Sequence, residues 1–310
     1  MLHKINPTII SFYLFNRTFE IRWYGLMYVI GFLFAFLWLN YWFKKDYFKE
    51  KLNIPVDFHY DLILVAALGV IFGGRLGYVF IYNFSYYMKD PINIFKIWEG
   101  GMSFHGAFIL TAILLYLYLK LNNYDVFRIA DKIIVIVPVG LFFGRIGNFI
   151  NGELYGRPTT VPWAMIFPAG GNILRHPSQI YEALCEGLIL FLILFILEKR
   201  QDKYYQLSYK LEKTIDLNEN EKKLFESLKK GFVPKKGFIF WAFISLYGLF
   251  RFILEFFRQP DQNIGKNGFL FGNITMGQIL SFPMFILGVI IIILIQKNII
   301  IYKDVYHEKK

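Results

Sequence analysis

Cysteine is almost absent from this chain of 310 residues, where Cys185 is the single one. No intrachain disulfide can form, and no set of thiolates is available to hold zinc. Cys185 itself lies in an apolar run, where a thiol is inert, and reads as a small core residue. Histidine is scarce as well, with five in all and none paired four residues apart, so neither a metal nor a cofactor is expected. The phosphate loop Gly-x-x-x-x-Gly-Lys-Ser/Thr, the dinucleotide turn Gly-x-Gly-x-x-Gly and the nucleophile elbow Gly-x-Ser-x-Gly are all missing. Gly101-x-Ser103 comes nearest the elbow but continues with Phe104, which leaves a serine hydrolase with weak support. No N-terminal stretch joins a short apolar core to a small-residue cleavage site, so the first apolar run is expected to stay in the mature chain. No internal repeat is visible, which weakens an inverted-repeat transporter.

Apolar surface is what the chain has in excess. Hydrophobic residues make up 56% of it and aromatic residues 20%, with a mean hydropathy of +0.42. Soluble domains hold roughly 45–50% apolar residues even when glycine is counted. A helix needs about 20 mostly apolar residues to cross a bilayer. Seven runs approach that length: residues 23–43, 60–82, 102–119, 132–150, 178–198, 237–257 and 276–296. The expected fold is an all-α polytopic membrane protein, a single domain over residues 1–310 with seven transmembrane helices. The net charge of +11 reads as the basic loops of such a protein. No nucleic-acid partner is expected.

Lysine and arginine gather on alternate connections. Residues 44–59, 120–132, 199–237 and 297–310 carry 22 of them, against 9 on the opposite set. The basic side should face the cytoplasm, which puts the N-terminus outside and the C-terminus inside. Without the long 199–237 segment the tally is 11 against 9, in the same direction. That segment mixes Glu212, Lys213, Glu219, Glu221, Lys222, Lys223, Lys229 and Lys230. It reads as a cytoplasmic loop insertion, either solvated or lying as a helix on anionic lipid.

With this topology, polar residues from five spans fall in one leaflet. At 1.5 Å per residue, Arg145, Arg251 and Arg75 lie about 8, 9 and 10 Å inside the outer ends of their spans. His105 lies about 5 Å past the outer start of its span, and Tyr24 is at the outer start of the first. Ionisable groups at such depth are costly and mark function by default. One outward-facing cavity is therefore expected. Tyr247, Arg251, Glu255 and Arg258 share a helix face through spacings of 4, 4 and 3 residues, and Arg251 can pair with Glu255. Arg145 and Asn148 share another face, among Gly140, Gly144 and Gly147, which read mainly as packing residues. Gly69, Gly73 and Gly77 have the same reading around Arg75. A planar guanidinium suits bidentate recognition of phosphate, so Arg145 and Arg251 are expected to hold a phospholipid phosphate. Arg75 can serve that phosphate or only the fold. His105, the histidine inside a span, can be a base or a hydrogen-bonded structural residue.

Several ordered motifs extend this picture along the chain. They are Trp23-Tyr24-Gly25-Leu26-Met27-Tyr28, Gly73-Gly74-Arg75-Leu76-Gly77-Tyr78 and Gly100-Gly101-Met102-Ser103-Phe104-His105-Gly106. The segment Gly144-Arg145-Ile146-Gly147-Asn148-Phe149-Ile150-Asn151-Gly152-Glu153-Leu154-Tyr155-Gly156-Arg157 follows. Arg175-His176-Pro177-Ser178-Gln179-Ile180-Tyr181-Glu182 comes next, then Arg251-Phe252 with Glu255-Phe256-Phe257-Arg258-Gln259-Pro260-Asp261, and Met276-Gly277-Gln278-Ile279-Leu280-Ser281. Together they resemble the bacterial prolipoprotein diacylglyceryl transferases; the 199–237 segment is longer than that family usually has there. The resemblance implies a seven-helix protein of the bacterial inner membrane, with small periplasmic arms, a head over residues 151–177 and a site facing the outer leaflet. It also implies two substrates, phosphatidylglycerol and the lipobox cysteine of a prolipoprotein signal peptide. The products would be a thioether-linked diacylglyceryl group and glycerol 1-phosphate. On that reading Arg145 and Arg251 hold the phosphate as its charge grows, and either His105 or Arg251 favours the thiolate. Asn148, Glu153 and Gly156 shape the wall next to the head. Tyr24 and Tyr247 donate to lipid oxygens, with Glu255, Arg258 and Arg75 beside them. The competing readings are a transporter or channel for an anionic lipid or solute, and a structural membrane subunit whose arginines merely pair across helices.

Overall fold

The computed structural model describes residues 2–14, 17–96, 101–260, 269–270 and 274–302. It opens with an antiparallel hairpin, β1 (Thr8–Leu14) and β2 (Arg17–Arg22). The helices follow in the order α1 (Trp23–Phe43), α2 (Asp46–Leu52), α3 (Phe58–Gly77), α4 (Phe84–Lys89), α5 (Phe104–Leu121), α6 (Val126–Ile133) and α7 (Val137–Asn151). A second, very short hairpin of β3 (Met165–Ile166) and β4 (Leu174–Arg175) precedes α8 (Ser178–Glu182). Then come a π-helical segment, Ala183–Ile189, and α9 (Leu190–Glu212), α10 (Glu219–Lys230), α11 (Phe238–Leu254) and α12 (Met276–Gln296).

The fold is helical, and the two small hairpins are additions to the expected one. The first has a readable cause. In β2, Phe19 and Ile21 alternate with Thr18, Glu20 and Arg22, and they pair across the strands with Phe12 and Ile10, so one face is apolar at a period of two. The rings of Phe12 and Phe19 stack with centroids 5.7 Å apart.

Among the described residues, five helical stretches are long and apolar enough to cross a membrane: Trp23–Phe43, Phe58–Phe80, Val126–Asn151, Ser178–Glu212 and Met276–Gln296. The remaining two expected spans fall on shorter apolar helices, Gly106–Leu121 and Phe238–Leu254. Pro283 lies inside α12, a position tolerated where neighbouring helices satisfy the freed backbone group.

Two compact units divide the chain, Met1–Leu37 with Ala130–Tyr302 and Trp38–Ile129. In the Trp38–Ile129 unit, α3 and α5 pack backbone against backbone. A Cβ on Gly73 would collide with the carbonyl oxygen of Gly106, and one on Gly106 with that of Gly73. Lipid tails are as apolar as leucine, so close packing of small residues has to supply the attraction between such helices.

In the other unit, buried polar groups tie three helices at one end. Lys132 on α6 pairs with Glu198 and Asp202 on α9. Asp131 accepts from the amides of Gly237 and Phe240 at 2.8 and 2.9 Å, which caps the start of α11 from another helix. The 199–237 segment is not a loose loop. α9 continues through it and α10 folds back, enclosing Leu207, Leu217, Phe225 and Leu228 with Tyr204 and Val233 against them. Asn218 and Glu221 form a capping box at the start of α10. Local apolar spacing and a cap therefore give this insertion a core of its own.

The glycine contact yields a direct test. Gly73→Ala should lower unfolding stability in detergent by roughly 1–3 kcal/mol through overpacking. Gly25→Ala, where nothing stands within 4 Å, should be nearly neutral. Equal effects at both positions would contradict the packing described.

Candidate active site

The helix that carries Arg145 is brought against the π-helical segment at a glycine. A Cβ on Gly187 would stand 2.6 Å from the Cβ and 2.8 Å from the Cα of Phe142. Phe142 precedes Arg145 by one turn, and Glu186 precedes Gly187. This approach sets the arginine against two carboxylates. Nε of Arg145 lies 2.8 Å from Oε2 of Glu182, and Nη2 lies 3.7 Å from Oε2 of Glu186.

Arg251 reaches the same carboxylates from α11. Its Nη1 donates to Oε2 of Glu182 at 3.2 Å and lies 3.6 Å from Oε1 of Glu186. Its Nη2 pairs with Oε2 of Glu255 at 2.9 Å, one turn along the helix as the spacing predicts. Both guanidiniums therefore meet at one oxygen, Oε2 of Glu182. The side chains of Glu182 and Glu186 are 1% and 0% exposed, and those of Arg145 and Arg251 are 17% and 13% exposed. Tyr247 and Arg258 lie within electrostatic reach of this group. Removing one member of a buried ion pair costs about 3–5 kcal/mol, because the partner is left charged in a poor solvent.

The wall beside this cluster is built where α7 ends. Gly152 takes the left-handed conformation, φ 69°, and turns the chain out of the helix. The Glu153 carboxylate then accepts from Nδ2 of Asn148 at 2.8 Å and of Asn151 at 3.2 Å. Nε2 of Gln179 donates to the carbonyl of Glu153 at 2.6 Å, and the Ser178 hydroxyl donates to that of Leu154 at 3.1 Å. These bonds fix the start of α8, and with it Glu182. Gly156 is held by its amide on the His176 carbonyl, 2.9 Å, and leaves no room for a side chain next to Phe257. Tyr24 packs its ring on Gly147, and its hydroxyl lies 3.1 Å from that of Tyr28. A Cβ built on Gly140 or Gly144, read as packing residues, meets nothing within 4 Å, while one on Gly31 would stand 3.8 Å from the Cα of Gly140.

Other arginines have a different environment. Arg75, in the Trp38–Ile129 unit, is 4% exposed and donates to the carbonyls of Ile94, Asn93, Lys96 and Gly101 at 2.5–3.2 Å. Arg157 donates to the carbonyls of Arg258 and Glu255 at 2.8 and 3.0 Å, which closes the end of α11. Arg175 donates to the carbonyls of Gly170 and Gly156. These three arginines brace backbone. His105 lies in the first turn of α5, but its side chain lies outside the described residues.

The chain matches the family described as prolipoprotein diacylglyceryl transferase over residues 11–212 and 223–294. A phosphatidylglycerol–prolipoprotein diacylglyceryl transferase of Geobacter sulfurreducens is 44% identical over 280 residues, covering 90% of this chain and 92% of its own. Proteins of the same name from Methylococcus capsulatus and Vibrio parahaemolyticus are each 40% identical, over 93% and 94% of this chain and 94% and 90% of their own. The chain belongs to the prolipoprotein diacylglyceryl transferase family. Residues 213–222, outside the family match, cover the connection after α9 and the first turn of α10.

Sequence reasoning singled out Arg145 and Arg251 and paired Arg251 with Glu255, but passed over the two carboxylates that the arginines share. Glu182 appears within a quoted motif without a role, and Glu186 does not appear at all. The signal was present: two carboxylates four residues apart inside an apolar run are as anomalous as the arginines.

The site's border supplies a pH test. Burial pushes the His176 imidazole below its ordinary value of 6.5, where it packs on Tyr181 and Phe257. The unfolded chain then binds more protons than the folded one as pH falls through about 6.5, so stability declines on the acid side. Melting curves between about pH 5 and 7.5 should show an acid loss that His176→Gln reduces. An unchanged acid slope would contradict this.

Proposed function

We propose that this chain moves a diacylglyceryl group from phosphatidylglycerol to the cysteine thiol of a prolipoprotein, the first step of lipoprotein maturation. The observation that carries the chemical reading is the pair of arginines converging on one anionic oxygen, in a member of a family named for this transfer. The sulfur attacks the glycerol carbon of the lipid and a C–S bond forms. The C–O bond to phosphate breaks, and the electron pair leaves with glycerol 1-phosphate. The thiol proton is released to a base or to the departing phosphate.

Arg145 and Arg251 bind the phosphate more strongly as its charge rises from the diester to the monoester, which lowers the barrier instead of merely tightening the ground state. A free thiol with a pKa of about 8.5 is only a few per cent ionised at neutral pH. His105 as base, or the field of Arg251, supplies the remaining activation. Asn148, Glu153 and Gly156 form the wall through which the head meets the lipid, and Tyr24 and Tyr247 donate to lipid oxygens. Glu255 orients Arg251, and Arg258 adds positive charge at the rim. Arg75 serves by holding its loop.

The same proposal includes the placement. All seven apolar helices cross the bacterial inner membrane, with the N-terminus outside and the C-terminus inside. Residues 151–177 form the extracytoplasmic head beside an outer-leaflet site, and the α9–α10 hairpin faces the cytoplasm. The second substrate is the signal peptide carrying the lipobox cysteine.

Purified protein with phosphatidylglycerol and a lipobox peptide should yield the diacylglyceryl adduct by mass spectrometry, and a serine-substituted peptide should yield none. Lipid flux with no adduct under lipid-replete conditions would sink the transfer reading. Arg145→Ala should abolish the product in a folded protein, whereas Arg75→Ala should act chiefly by lowering stability. Equal activity losses with intact folding would refute that ranking.

A further inference from the structure

We infer that Glu182 is the exchangeable counter-ion of this site, a positioning residue that holds Arg145 and Arg251 converged until the lipid phosphate takes its place. The inference rests on the transfer reading above. Oε2 of Glu182 occupies the point shared by the two guanidiniums, 2.8 Å from one and 3.2 Å from the other. Glu186 reaches them with separate oxygens at 3.7 and 3.6 Å, and Glu255 pairs with Arg251. A phosphate oxygen bridging both arginines needs the position that Glu182 fills.

Charge leads to the same exchange. Three carboxylates, Glu182, Glu186 and Glu255, already face Arg145, Arg251 and the nearby Arg258. A further anion entering this dry group meets an excess of negative charge unless one carboxylate gives way. Glu182 is the carboxylate at the shared point, so it is the one an incoming phosphate displaces. Its other oxygen, Oε1, receives no hydrogen bond among the described residues, and neither do the two oxygens of Glu186. Glu182 also sits at the junction of α8 and the π-helical segment, and π-turns within helices frequently mark functional positions.

The exchange has a kinetic consequence. Substrate and product phosphate alike must displace Glu182, so it weakens the hold on both. Its return to the guanidiniums then expels glycerol 1-phosphate.

Glu182→Gln in the full-length protein keeps the shape and removes the competing charge. The kcat should fall about tenfold while the KM for phosphatidylglycerol and the Ki for sn-glycerol 1-phosphate both fall roughly fivefold or more. A brace of merely structural importance predicts the opposite, weaker binding of both. An unchanged or raised Ki in the folded variant therefore overturns the inference. A second measurement needs no variant: infrared difference spectra of the wild type on adding sn-glycerol 1-phosphate should show a carboxylate stretching band shift. Occupancy by the product with no carboxylate change overturns the inference even if Glu182→Gln does not fold. Wild-type protein that makes no adduct sinks the transfer reading itself; adduct formation with either contrary result sinks only the role of Glu182.

Discussion

Two cations can share a buried site only where something negative holds them together, and here that is one oxygen atom of Glu182. Much of the local architecture bears on that meeting point. Gly187 lets α7 approach the π-helical segment, and the periodicity of α11 puts Tyr247, Arg251 and Glu255 on one face. Gln179 and Ser178 anchor the start of α8 to the chain that leaves α7. The charges are costly to bury and strongly destabilising to leave unpaired, so the elements carrying them are fixed by close contacts.

The nature of an arginine's partner separates the two uses of this side chain. Arg75, Arg157 and Arg175 donate to backbone carbonyls, which have no equivalent anion to yield to and are left unsatisfied if the guanidinium departs. Arg145 and Arg251 face carboxylates, whose charge and bidentate geometry resemble those of a phosphate. The first kind of contact holds a loop in place, and the second can be traded for a ligand.

Hydropathy made much of the fold legible in the sequence. The first and last apolar runs, residues 23–43 and 276–296, coincide with α1 and α12, and the depth of Arg145 and Arg251 marked both as anomalies. What escaped had physical reasons. The β1–β2 hairpin is too short to register beside long apolar runs, although the alternation in β2 is plain once sought. The 199–237 segment looks solvated because its apolar residues are sparse, yet Leu207, Phe225 and Leu228 meet when α10 folds back on α9. The acceptors of Arg75 are main-chain carbonyls of a neighbouring loop, which no residue pattern announces. Glu182 was hidden for a different reason. Its significance lies in being shared, and sharing appears only when α7, α8 and α11 are seen together.

The central claim is that Arg145 and Arg251 act as one anion-holding unit. A double-mutant cycle on adduct formation tests it most directly, using Arg145→Lys, Arg251→Lys and the pair. Each lysine keeps the charge but loses the planar fork. The account predicts strong coupling, with the double variant hardly slower than the worse single one and an interaction energy of at least about 1 kcal/mol. Losses that simply add would contradict it.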